Sequence, residues 1–176
     1  LQDARTGSTC LSCEKGQFQN EDASSTASKR VYKCSACANG KIAPEMNATN
    51  CTACPIHHSS CNEASVCTGQ TKCTKCKPGK DSGNTAYGTQ CINCAAGYFN
   101  DKDGVQCIEC KLGEYQNITG QTKCLKCPIG TYMDETRSSK NCKSCPFGST
   151  TKAVGSKNAT ADCECGLNQD KNNQGI

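Results

Sequence analysis

Apolar side chains in this chain are sparse, show no helical spacing and never form a run near 18 residues. The residue that recurs is cysteine. Eight C-x-x-C pairs, Cys10/Cys13, Cys34/Cys37, Cys51/Cys54, Cys73/Cys76, Cys91/Cys94, Cys107/Cys110, Cys124/Cys127 and Cys142/Cys145, begin 24, 17, 22, 18, 16, 17 and 18 residues apart. In seven of them a glycine stands three residues after the second Cys: Gly16, Gly40, Gly79, Gly97, Gly113, Gly130 and Gly148. The third pair has His57 at that place. Two residues further on, five repeats carry an apolar or aromatic side chain: Phe18, Ile42, Phe99, Tyr115 and Tyr132. The segment TGQTKC occurs twice, ending at Cys73 and Cys124. A phase held this closely is the mark of tandem duplication.

Glycine after C-x-x-C supplies a turn residue able to take φ > 0. The alternating stretch behind it suits a short extended segment, and a second turn at Gly69, Gly88, Gly104 or Gly120 returns the chain to the next Cys. Each unit is at most a small two-stranded ribbon, which is marginal in water without a staple. The expected fold is therefore small and disulfide-rich: an elongated tandem array of short two-stranded β-ribbon repeats, mostly coil, with little or no helix. The phase sets a long first repeat at 1–33, repeats at 34–50, 73–90, 91–106, 107–123 and 124–141, and an atypical repeat with two extra cysteines at 51–72. A last repeat closing on C-x-C covers 142–165, and 166–176 reads as a polar linker or tail. Within the first repeat, EDASSTAS at 21–28 reads as a mobile or O-glycosylated surface loop.

Composition sharpens the picture. Twenty of 176 residues are Cys, the density of a disulfide scaffold, whereas Val, Ile, Leu and Phe together number 19 and Trp is missing. So little aliphatic material excludes a doubly wound enzyme, a helical bundle and a membrane-spanning protein. The net charge of +4 is spread without a block of like charges, as on a solvated surface. No signal peptide is present, and a chain opening at Leu1 is expected to be mature, trimmed or part of something longer.

The thiols have two readings. Paired C-x-x-C motifs fit four-cysteine zinc ribbons, since two thiolates three residues apart can bite one tetrahedral ion. Against zinc, Cys61, Cys67, Cys163 and Cys165 would be left over, and the pairs keep one phase instead of coming in coupled twos. Glycosylation sequons also recur at Asn47, Asn117 and Asn158, with a fourth at Asn50 whose middle residue is Cys51, and they favour the secretory path. Disulfides are the preferred reading. In a ladder, each second Cys bonds the next first Cys: Cys13–Cys34, Cys37–Cys51, Cys76–Cys91, Cys94–Cys107, Cys110–Cys124, Cys127–Cys142 and Cys145–Cys163. Cys54, Cys61, Cys67 and Cys73 then pair among themselves, leaving Cys10 and Cys165 for a neighbouring module or subunit. The rival interlocks successive pairs, as in Cys91–Cys107 with Cys94–Cys110.

From Cys107 onward the elements C-x-x-C-P-x-G-T-Y at Cys124–Tyr132, C-x-x-C-P-x-G-S-x-T at Cys142–Thr151 and the closing Cys163-x-Cys165 resemble the ephrin-receptor-like, growth-factor-receptor-type cysteine-rich repeat. The likeness is good over 91–165 and looser before. Upstream, KCSACANGKIAPEMNATNCTAC is similar to the C-x-x-C arrays of variable surface antigens in protists. One departure concerns the end: the family continues C-x-C-x-x-G-aromatic, whereas Gly166-Leu167-Asn168 follows Cys165 here. The resemblance implies an extracellular scaffold of small disulfide units and no catalytic residues.

Other chemistry is weakly signalled. A redox dithiol needs one C-x-x-C on a βαβ scaffold. His57 and His58 beside Cys54 and Cys61 could bind a metal, but a plain exposed loop is the preferred reading, and Asp101-x-Asp103 with Gly104 reads as a turn. No cofactor or metal is expected, nor an enzyme. The expected function is an extracellular or cell-surface structural segment of a larger surface, matrix or filament-forming glycoprotein. Its partners would be attached glycans and neighbouring modules or copies, with no nucleic acid and no membrane insertion. Two alternatives stand beside it: a ligand-binding receptor or adhesion ectodomain, and an intracellular zinc-ribbon array.

Overall fold

A computed structural model describes residues 12–22, 24–26, 31–61, 67–83 and 90–165. The chain packs as two compact units, one of Leu1–Lys77, Asp81–Ile92 and Asp103–Gln106, the other of Pro78–Lys80, Asn93–Lys102 and Cys107–Ile176. Among the described residues each sheet has two strands. In the first unit β1 (Gln17–Glu21) pairs with β2 (Tyr32–Ala36), β3 (Lys41–Ile42) with β4 (Thr52–Ala53), and β5 (His58–Ser59) with β6 (Thr74–Lys75). Next come β7 (Lys80–Asp81) and β8 (Ile92–Asn93). In the second unit β9 (Tyr98–Phe99) pairs with β10 (Ile108–Glu109), β11 (Glu114–Tyr115) with β12 (Leu125–Lys126), and β13 (Thr131–Tyr132) with β14 (Lys143–Ser144). The last pair is β15 (Ser149–Thr151) with β16 (Cys163–Cys165), joined through a single helical turn, α1 (Ala159–Asp162).

From β4 to β14 the second strand of each ribbon is the two residues inside the next C-x-x-C, so those ribbons cross the boundary between consecutive repeats; β2 begins before Cys34, and β15 and β16 both lie in the last repeat. Backbone hydrogen bonds repeat with it. The second Cys of a repeat donates its N–H to the carbonyl of the preceding repeat's turn residue, from Cys37 to Gly16, through Cys76 to His57 and Cys94 to Gly79, to Cys145 to Gly130, all at 2.8–3.0 Å. That turn residue donates its own N–H to the position three beyond the following turn residue: Gly16 to Ala43, Gly79 to Asn100, Gly97 to Gln116 and Gly113 to Met133 through the carbonyl. For Gly40 the acceptor is Ser60 Oγ and for Gly130 it is Thr151 Oγ1.

The core is thin and follows the same phase. Cys13, Cys37, Cys54, Cys76, Cys94, Cys110 and Cys127 are at most 2% exposed, and beside them lies one side chain per repeat from Ala43, Ser60, Asn100, Gln116, Met133 and Thr151. The polar ones are satisfied internally. Asn100 accepts from the Lys102 N–H and donates to the Lys80 carbonyl. Gln116 likewise accepts from the Ile118 N–H and donates to the Lys123 carbonyl. Burial of a paired amide avoids the desolvation cost of an orphan.

The described residues hold nine disulfides. Eight run from a second Cys forward to a first Cys, closing separations of 13 to 21 residues: Cys13–Cys34, Cys37–Cys51, Cys54–Cys73, Cys76–Cys91, Cys94–Cys107, Cys110–Cys124, Cys127–Cys142 and Cys145–Cys163. Cys61–Cys67 is nested within the Cys54–Cys73 loop. A loop of about 15 residues is worth roughly 3 kcal/mol in the chain-entropy account, far more than the few exposed aliphatic contacts can add.

Turn glycines matter for two reasons. All seven have φ between 78° and 86°. Several also lie against a carbonyl: a Cβ on Gly113 would collide with the Gly155 oxygen and one on Gly97 with that of Arg137, whereas one on Gly148 would meet nothing within 4 Å. The left-handed conformation alone costs an L-residue about 1–2 kcal/mol. Gly148→Ala is therefore expected to lose about that much stability, and Gly113→Ala clearly more, in denaturant titrations; equal losses would contradict the close-approach account. Reductant should abolish the folded circular dichroism signal while EDTA leaves it intact, and the reverse result would assign the thiols to metal.

Candidate functional site

Eighteen of the cysteines named in the sequence are joined in the nine bridges, and no cluster of three or more His, Cys, Asp or Glu among the described residues could hold a metal ion. Cys10, Gly88, residues 23, 27 and 28 of the first loop and the tail 166–176 lie outside the described residues. What remains to be placed is the third repeat, the sequon asparagines and Cys165.

His57 occupies the turn-glycine position of the third repeat and adopts its conformation, with φ 59°. His is one of the few non-glycine residues enriched there. The ring Nδ1 lies 2.7 Å from Asp81 Oδ1 of β7, and both side chains are 13% exposed. Asp81 Oδ1 also accepts the Gly83 N–H at 3.1 Å, so one carboxylate fastens a ring and a turn. His58, the first residue of β5, turns its Nδ1 to the Ile56 carbonyl instead. The two adjacent histidines thus reach different partners and do not converge on one point.

The sequon asparagines Asn47, Asn117 and Asn158 each make a side-chain hydrogen bond, in different geometries. Asn47, at φ 58°, accepts the Cys13 N–H on Oδ1 at 2.8 Å and donates its own N–H to the Cys13 carbonyl. Asn158 caps α1, with Oδ1 accepting from Thr160 and Ala161. Asn117 Nδ2 donates to Asn141 Oδ1 at 2.9 Å. All three residues, and Asn50, are exposed. In Asn47 and Asn158 the oxygen does the structural work and leaves the amide nitrogen at the surface.

Cys165 is exposed and unpaired, and its register explains why. In regular ribbons the residue after the turn glycine faces the residue just before the second Cys, as Glu114 faces Lys126 and Thr131 faces Ser144. Ser149 faces Cys165. C-x-C is one residue shorter than C-x-x-C, so its second thiol lands on the outward position, because side chains alternate along a strand.

Charge at this outward position is used once as a cross-repeat pair. Glu109 binds Arg137, a non-glycine turn residue at φ 57°, and this hydrogen bond raises the guanidinium pKa. The pair is exposed and contributes little. Asp162 has its pKa lowered because the Lys157 and Asn158 N–H groups donate to it.

The sequence model of the family described as tyrosine-protein kinase ephrin type A/B receptor-like matches twice, at 97–141 and 119–163. Over residues 97–163 the chain is similar to ephrin-receptor-like repeats. The comparison with curated proteins finds no match. The family that the chain matches is a receptor-type cysteine-rich module, not an enzyme family. Its bridges place it with extracellular proteins, since disulfides persist in oxidising compartments. No helix among the described residues is long and apolar enough to cross a membrane.

The His57–Asp81 pair can be tested directly. A hydrogen bond to a charged, mostly buried carboxylate is worth about 1.5–3 kcal/mol, so Asp81→Ala should lower the denaturant midpoint measurably. His57→Gly removes the same bond but also the strained φ, and should cost less. A variant at Asp81 as stable as the parent would show that the pair does not hold the third and fourth repeats.

Proposed function

We propose that this chain is a structural segment of a larger surface, matrix or filament-forming glycoprotein, in which it serves as a disulfide-stapled spacer or assembly unit. The observation that carries this reading is the identity of the step: one disulfide of the ladder and one hydrogen bond, from the second Cys to the preceding turn carbonyl, join each repeat to the next. Stability of this kind is supplied locally, repeat by repeat, and can be extended by adding units. The exposed Cys165 thiol is the atom through which a neighbour would be joined, and Asn47, Asn117, Asn158 and Asn50 are the glycan acceptors.

A second reading, a receptor or adhesion ectodomain, is favoured by the third repeat alone. Only there, among the described residues, does a side chain replace the turn glycine and a nested bridge, Cys61–Cys67, close a further loop. Exchange of 51–72 for a regular repeat would remove partner binding on this reading and leave assembly intact.

Natively sourced protein distinguishes these. Labelling by a membrane-impermeant reagent, a mass decrease with N-glycosidase and covalent species that collapse on reduction are expected, with Cys165→Ser abolishing those species. A single unglycosylated monomer band in both lanes would overturn the assembly role.

A further inference from the structure

Lysine distribution in the second unit is uneven in its pairing. Arg137, Lys143 and Lys152 each hold a carboxylate, whereas Lys111, Lys126 and Lys157 form no close ion pair, Lys157 acting on Asp162 only through longer-range attraction. These three come from successive repeats and line one cleft of about 240 Å³, together with Leu112, Val154 and Glu114. Two of the stems are laid against glycine backbone. Lys157 Cγ is 3.2 Å from the point a Cβ would occupy on Gly113, and Lys126 Cδ is 3.6 Å from that point on Gly155. The nearby Asp162 carboxylate is taken up by the Lys157 and Asn158 N–H groups.

We propose that this cleft binds an acidic polysaccharide, with Lys111, Lys126 and Lys157 on its sulfate or carboxylate groups. Three ammonium groups supply charge. Leu112 and Val154, 40% and 55% exposed, offer an apolar surface to the C–H face of a sugar ring, and Glu114 accepts from its hydroxyls. A free inorganic anion would leave the apolar part unused and would be repelled by Glu114. Single-stranded nucleic acid stacks its bases on aromatic side chains, and the lining has none. The choice of a glycan over other polyanions rests on the extracellular reading above.

The whole chain is tested by titration at low salt with heparin, hyaluronan, neutral dextran and single-stranded DNA. Binding to at least one acidic glycan is expected, heparin alone marking sulfate as the recognised group and both marking carboxylate as sufficient. Lys111→Ala/Lys126→Ala/Lys157→Ala should weaken it about tenfold, while Lys102→Ala/Lys123→Ala/Lys140→Ala, with the same charge change, should stay within about twofold. Lys111→Gln alone, on an exposed turn, should weaken it about threefold and reports even if the triple variant misfolds. Equal loss in both triple variants, no acidic glycan bound, or DNA bound as tightly through the same lysines would overturn the proposal. Failure on glycans with surface labelling intact would leave the structural reading standing.

Discussion

Each repeat of this protein is closed by a bond whose inner sulfur is also its core. The second Cys is buried in every pair from Cys13 to Cys127, from Cys37 onward its N–H is held by the turn residue before it, and its sulfur reaches forward to the next cysteine pair. Burial, hydrogen bonding and crosslinking therefore converge on one residue type. A chain with so few aliphatic side chains could not hold strands two residues long by packing alone. The bridge limits the entropy of the unfolded chain, and the short ribbon orients the next turn.

Close approach of backbone to backbone is the second constraint, and it accounts for the glycines. Turn residues with φ > 0 would accept Asn or His at modest cost, as Asn47 and His57 show. The carbonyl lying over Gly97 and Gly113 admits no side chain. In the third repeat a ring stands at the equivalent place and finds a carboxylate, Asp81, which converts an irregularity into a tie between consecutive repeats.

Much of the fold was legible because its signals are covalent or conformational. The C-x-x-C phase marked the repeats, and glycine at a fixed offset marked the turn. Four features were hidden. The buried position three beyond the turn carries Ala, Ser, Asn, Gln, Met or Thr, so no hydrophobic pattern betrays it; what recurs there is mostly a backbone acceptor. The role of His57 required its φ and the distant Asp81. The ribbons cross the expected repeat boundaries, since the residues between paired cysteines are themselves a strand, and only the pairing register reveals it. The lysine cleft draws one residue from each of three repeats and has no contiguous motif.

The forward direction of the links bears on how the molecule is made. After Cys13, Cys37, Cys76, Cys94, Cys110, Cys127 or Cys145, the next cysteine to emerge during export is the native partner, 13 to 21 residues later. Only Cys54 must wait while Cys61 and Cys67 find each other. Oxidation can then proceed vectorially, each knot tied before the next pair of thiols arrives, and a very large number of wrong pairings is avoided by order of appearance.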